Sequence, residues 1–185
     1  MAAEAVEGLG EGEKWEDPDY VIDDNTIGRY AMKDKREEGG KGKSWGRLTE
    51  MDDWKLYAEG ASLGDVSQGG LGDCWLCAGF ASAAALGLVD KILIASRPDD
   101  EATKKGCFAV RFFINGAWEI VLVDDRVPMY DGKWILMLSS TDKNEIWPSI
   151  VEKAYSKVMG SYAVLIGGQG HEALPRVTGF LTDFY

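Results

Sequence analysis

The sequence is short of histidine and cysteine: one imidazole, His171, and three thiols, Cys74, Cys77 and Cys107. Structural zinc needs two ligand pairs, and these scattered groups do not supply them. An odd cysteine count without regular spacing is not a disulfide framework. Basic residues are also few, 20 against 31 acidic, for a formal net charge of -11. That excludes the clustered Lys and Arg by which a protein displaces counterions from nucleic acid, and it opposes docking on an anionic leaflet. No apolar run approaches the roughly 18 residues of a membrane span. The N-terminal MAAEAVEGLGEGEK lacks the positive and apolar regions of a secretory signal, and it lacks the Met-Gly start of a myristoylation site. The glycine loop before Cys74 has neither Gly-Lys-Ser/Thr nor G-x-G-x-x-G, so phosphate binding is discarded. These absences describe a soluble, cytoplasmic protein with reduced thiols, no nucleic-acid partner and no transmembrane segment.

What is present is enough for one domain or most of one: 185 residues, 45% of them hydrophobic. Residues 1–14 are small, Gly-rich and acidic, and read as a disordered acidic tail. Residues 15–57 form a charged segment leading into the core, with KDKREEGGKGK at Lys33–Lys43 as a solvated loop. Trp15, Trp45 and Trp54, helped by Tyr20 and Tyr30, are its candidate anchors. From residue 58 the composition becomes that of a core. Cys74–Leu88 reads as a buried helix, with Ala78, Ala81, Ala84 and Ala85 allowing close packing and Gly79 weakening it. Cys107–Ile114 and Ala117–Val123 read as a hairpin around Asn115-Gly116, the favoured pair for a type I′ turn. Asp124-Asp125 ends the second strand and Pro128 stops its continuation. Asp131-Gly132 is a turn, and Trp134–Leu138 a short strand. Trp147–Met159 reads as a helix with Pro148 in its first turn and Gly160 as its stop. Gly167-Gly168 and Gly170 mark a loop, and Glu172–Val177 a short helical turn.

Cys74 follows a glycine-rich loop and opens a helix. The positive end of a helix dipole favours thiolate, the reactive form. Glycines let a substrate backbone approach closely. Gln68, across that loop, can donate an amide N–H to an oxyanion, as can the backbone N–H of Cys74. On the residues alone, a small buried residue in an Ala-rich helix is the competing reading. Cys74 and Cys77 also form C-x-x-C, as redox dithiols do, but without the preceding strand of that pattern.

Several ordered motifs carry a resemblance. Gln68–Trp75, QGGLGDCW, resembles the nucleophile signature of the calpain family of papain-like cysteine endopeptidases. WEDPDY at Trp15–Tyr20 and GAWEIVLVDDRVP at Gly116–Pro128 are similar to further segments of the family. So are NEIWPSIVEKAYSKVMGSY at Asn144–Tyr162, then Gly167-Gly168, Glu172-Ala173-Leu174 and Thr178-Gly179, in family order. The resemblance implies an α+β fold over residues 58–185, the first, mainly helical lobe of a papain-like core with a central Cys-bearing helix and a small β-hairpin region. It implies Cys74 as nucleophile, Gln68 as oxyanion donor, and Trp75, Gly167 and Gly168 at the substrate cleft. It also implies Ca²⁺ held by the backbone carbonyls of Ala58 and Gly60 and the carboxylates of Asp65 and Glu145. All are oxygen donors, which a hard cation accepts.

The chain departs from the family in three ways. The family's catalytic His and Asn belong to a second lobe that the resemblance does not reach, and His171 does not match a family base position. Leu63 stands where the family commonly has an arginine that ties the calcium site to the second lobe, and Cys77 replaces a large apolar residue. Two functions follow. One is the first lobe of a calcium-dependent cysteine endopeptidase acting on protein substrates, inactive alone because its His/Asn lobe is missing. The alternative is a non-catalytic calpain-like module that binds calcium or a partner.

Overall fold

A computed structural model describes residues 1–21, 23–27, 43–94, 96–130, 138–142 and 144–180. The fold is α+β. Helix α1 (Ala2–Ala5) and helix α2 (Asp24–Ile27) precede strand β1 (Lys43–Arg47). The long loop after β1 leads to α3 (Cys74–Ala85), then α4 (Val89–Ile92), β2 (Leu93–Ile94) and α5 (Glu101–Lys104). Strands β3 (Cys107–Ile114), β4 (Ala117–Asp124) and β5 (Arg126–Tyr130) follow, then α6 (Trp147–Met159) and α7 (Gly170–Thr178). One antiparallel sheet has the order β2-β3-β4, and β1 pairs with β5 in a separate ribbon.

The hairpin forms as its turn residues dictate. Asn115 and Gly116 both take positive φ, 51° and 85°, and Ile114 faces Ala117 across a two-residue turn. Pro128 does not stop the chain as expected. It lies inside β5 opposite Trp45, in a ribbon of two strands where both are edges and a missing N–H costs no ladder bond. Strand β1 itself begins at Lys43, the last residue of the presumed charged loop; Tyr30, residues 33–42, Asp131-Gly132 and residues 134–137 lie outside the described residues.

Residues 1–14 are not a free tail where the structure describes them. Ala2 and Val6 are buried against Ala102, Cys107 and Ala109, because this small apolar face covers the end of β3. Lys105 Nζ donates to the carbonyls of Leu9 and Gly10 at 2.9 and 2.8 Å, which pins the stretch further. Trp15 packs on the same cluster, and Tyr20 and Trp54 on the main core.

Tyr155 of α6 sits where three elements meet. Its ring makes edge-on contacts with Trp75 and Phe80 of α3 and Phe112 of β3, at 5.9, 6.0 and 5.6 Å between centroids. Gly79 has a packing reason: a Cβ there would fall 2.6 Å from Ala173 Cβ, so α7 can lie directly on α3. Ala78 and Ala85, expected at a packing face, are exposed, while Ala83 and Ala84 are buried.

Beneath the hairpin lies a charged core. The Asp124 carboxylate, fully buried, accepts from Asp17 N, from Arg126 N, Nε and Nη2, and from Lys153 Nζ, itself fully buried on α6. Burial pushes the Asp124 acid up, but Lys153 and Arg126 outweigh it and hold the pKa at about 2. Burial lowers Lys153 to about 8 against the opposing pull of Asp124. Lys157, one turn on, bonds both oxygens of Asp17 at 2.8 Å.

Removing one partner should strand the other charge in the interior. Lys153→Met is expected to destabilise the chain by about 3 kcal/mol in urea titration, and the Asp124→Asn/Lys153→Met pair by less. The Asp124 pKa lies below its ordinary 3.8, so its contribution is complete above that pH and fades as the pH falls toward 2. Lys153→Met should flatten that acid limb.

Candidate active site

Cys74 is the first residue of α3, after Asp73 at the N-cap position. The N–H groups of Leu76 and Cys77 both reach Asp73 O, at 2.9 and 3.1 Å, which closes the first turn. The Cys74 N–H precedes them and by position has no acceptor within the helix. The three thiols are not equivalent. Cys107 is buried, and burial pushes its thiol up to about 12. Burial, then the charges of Asp73 and Cys74, raise Cys77. Cys74 is the exposed one.

The loop before α3 is folded on itself. Gln68 Nε2 donates to Leu71 O at 2.9 Å, and Leu71 is buried. Gln68 is exposed at the mouth of the loop, its amide turned to its own backbone, and among the described residues no hydrogen bond joins it to Cys74.

The structure does bring the other candidate cleft residues together. Gly167 N donates to Gly72 O at 2.9 Å, two residues before Cys74. Trp75 Nε1 donates to Leu165 O at 2.8 Å. Gly168 lies against the indole so closely that a Cβ would fall 2.5 Å from the ring. These three contacts latch the 165–168 loop to the start of α3. Sequence spacing alone could not have revealed the acceptor carbonyls of Gly72 and Leu165, since any residue provides one. His171 belongs to the first turn of α7 rather than to a loop, and is half-buried.

Three of the oxygen donors proposed for calcium, Ala58, Gly60 and Asp65, lie on a loop closed at both ends by residues 139–145, which carry the fourth, Glu145. Lys55 bridges to Glu145 and Ser67 to Ser139. The buried Glu145 carboxylate accepts from Ala58 N and Ser140 Oγ, both at 2.6 Å. Asp65 caps its own 3₁₀ turn, accepting from Ser62 N and Oγ at 2.6 Å. Thr141 Oγ1 donates to Gly64 O at 3.0 Å, so the two segments touch beside Asp65 as well. Gly60 turns the loop between them with φ of 93°. Glu145 is two residues before α6 and serves the 55–67 loop rather than the helix dipole. Among the described residues no three His, Cys, Asp or Glu side chains converge as a metal cage.

One group escaped the sequence reading entirely. Asp73 and Glu152 of α6 are both fully buried, side by side. No motif distinguishes Glu152 from a solvated helix charge; only its place on the inner face does. No described helix is long and apolar enough to cross a membrane.

Comparison with known proteins matches residues 15–185 to the calpain family cysteine protease model. Calpain-B of Drosophila melanogaster is 37% identical over 178 residues, which is 96% of this chain and 18% of that protein. Calpain-8 of Rattus norvegicus is 36% identical over 181 residues, 96% of this chain and 25% of the relative. The calpain-2 catalytic subunit of Mus musculus is 35% identical over 183 residues, 97% and 25% respectively. The chain thus spans about a quarter or less of these relatives' length. With a family match over nearly its whole length, and with Cys74 exposed at the head of its central helix, the chain belongs to the calpain family of cysteine proteases.

Proposed function

We propose that this chain is the nucleophile-bearing lobe of a calcium-dependent cysteine endopeptidase acting on cytoplasmic protein substrates. The observation that carries the reading is the exposed Cys74 at the first position of α3, with the Gly167–Gly168 loop bonded next to it. The Cys74 thiolate attacks a peptide carbonyl carbon and forms the thioester. The oxyanion is held by the Cys74 N–H and by the Gln68 amide, which leaves Leu71 O to reach it. Trp75, Gly167 and Gly168 form the wall along which an extended substrate backbone lies. A histidine on a second lobe, oriented by an asparagine, protonates the leaving amine and then activates water. Val164 and Ile166, 54% and 40% exposed beside that wall, are apolar surface suited to a docked lobe. The lobe alone lacks such a base and is not expected to cleave peptides.

The donor chemistry suits calcium. Ala58 and Gly60 carbonyls with Asp65 and Glu145 carboxylates are hard oxygen ligands on a loop already drawn together by Glu145 and Thr141. Calcium there would neutralise two carboxylates and stiffen the loop that leads to Gln68. The exposed Leu63 offers no ion pair to a second lobe, so alignment of the lobes would rest on other contacts. The second reading, a calcium- or partner-binding module without catalysis, is favoured by the Gln68 amide being engaged with Leu71 O instead of facing Cys74.

In the two-lobed protein, Cys74→Ala is expected to abolish peptide cleavage while calorimetric calcium binding is unchanged. Gln68→Ala should lower kcat by about 10²-fold or more. Retained cleavage in the first variant overturns the assignment of the nucleophile; full activity in the second supports the non-catalytic use of that loop. On this chain alone, Glu145→Gln and Asp65→Asn should each weaken calcium binding by about tenfold or more, because each removes a ligand charge. Calcium should raise the melting temperature of the parent chain in a concentration-dependent way. Equal binding by parent and variants would discard the four-ligand set.

A further inference from the structure

Asp73 and Glu152 present a chemical problem that the fold must solve. Both carboxyls are fully buried and lie within hydrogen-bonding reach of each other. Glu152 Oε2 accepts from Leu138 N at 2.7 Å. Its Oε1 and both oxygens of Asp73 have no donor. The charge of the pair is felt by the Cys77 thiol on the same helix as Asp73, by the Tyr162 hydroxyl on the 3₁₀ turn after α6, and by the Tyr20 hydroxyl of the N-terminal segment. The neighbouring Lys153 points away, to Asp124. Among the described residues no ion pair or hydrogen bond joins either carboxyl to a cation. Two carboxylates cannot both be ionised in such a place. One proton between them resolves two of the three orphan oxygens, Glu152 Oε1 and one oxygen of Asp73.

We propose that Glu152 holds this proton on Oε1 and donates it to the Asp73 carboxylate, and that this acid–carboxylate bond is a positioning device for Cys74. Glu152 takes the proton because its other oxygen already accepts from Leu138, leaving Oε1 free to donate. The remaining negative charge falls on Asp73, at the N-cap of α3, where the helix dipole stabilises it. Asp73 makes no side-chain bond to its own helix. Its side chain is used instead to tie the first turn of α3 to α6, one residue from the nucleophile. Glu152 and Asp73 touch no substrate; they act through the placement of the Cys74 N–H and thiol. The pair titrates as a unit. Both acids are raised, chiefly by burial, so the folded state keeps a proton that the unfolded chain releases. Stability from this source is therefore greatest at low pH and declines as the pH rises above 4.5.

The last step rests on Cys74 as nucleophile; the shared proton does not. The test uses this chain, its Glu152→Gln, Glu152→Ala and Asp73→Asn variants, infrared spectroscopy, urea titration and iodoacetamide labelling. The parent should keep a carboxylic-acid C=O band at neutral pH that Glu152→Gln and Glu152→Ala lose and that shifts in frequency in Asp73→Asn, where its acceptor is an amide. Its folding constant should fall about tenfold per pH unit more steeply than that of Glu152→Gln between pH 5 and 7, one proton being released per unfolding event. Glu152→Gln, whose amide can replace the donated bond, should label at Cys74 within about threefold of the parent rate, and Glu152→Ala should depart by about tenfold or more, one hydrogen bond's worth. An absent band together with parallel pH slopes overturns the shared proton. Equal Cys74 labelling in Glu152→Gln and Glu152→Ala overturns the positioning role. Should Glu152→Gln not fold, Glu152→Ala carries the band and slope comparison. An unreactive Cys74 in the parent, with the band present, defeats the nucleophile reading alone.

Discussion

The Asp124 carboxylate is the point to which the rest of the chain is tied. It ends β4, receives the N–H of Asp17 from the N-terminal segment, the guanidinium of Arg126 at the start of β5, and the ammonium of Lys153 from α6. Three segments distant in sequence, the N-terminal stretch, residues 124–126 and α6, converge on one buried anion. The desolvation of Asp124 and Lys153 is large, and it is met by five donors on the acid and by a second acceptor, Arg126 O, for the lysine at 2.6 Å. Such a cluster admits few alternative registers. A shift of one residue along β4 would turn Asp124 outward and leave Lys153 buried alone.

From that point α6 carries order toward α3, the helix that Cys74 opens, by two different means on adjacent faces. Its aromatic face, through Tyr155, packs on Trp75 and Phe80 of α3. Its polar face, through Glu152, meets Asp73. Ten consecutive residues of this helix, Trp147–Ser156, are buried. A helix so enclosed is a rigid reference against which α3 is set, and α7 completes the clamp through the Gly79–Ala173 approach.

Much of this was legible in the sequence because local rules sufficed. The Asn115-Gly116 turn, the limits of α6 from Pro148 to Gly160 and the start of α3 at Cys74 each depend on residues within a few positions. The family was legible too, since QGGLGDCW is compact. What could not be read depended on partners far away. Pro128 looked like a stop because its strand partner, Trp45, lies 83 positions upstream in the pairing register. The acidic N-terminus looked disordered because its few apolar residues, Ala2 and Val6, gain meaning only against β3. Lys153 and Glu152, adjacent charges on a helix, look like solvent-facing residues until their buried counterparts at Asp124 and Asp73 are in place.

The 55–67 loop is fastened at both ends, Lys55 to Glu145 and Ser67 to Ser139. A loop so closed has already lost most of its chain freedom, and further ordering of its interior costs little entropy. It also has no slack in which to absorb a displacement. The fastening at Ser67 ends one peptide bond before Gln68, whose carboxamide is held in turn by Leu71 O. A shift of Glu145 or Asp65 would be felt at Gln68 as a change of direction and not as a loss of order.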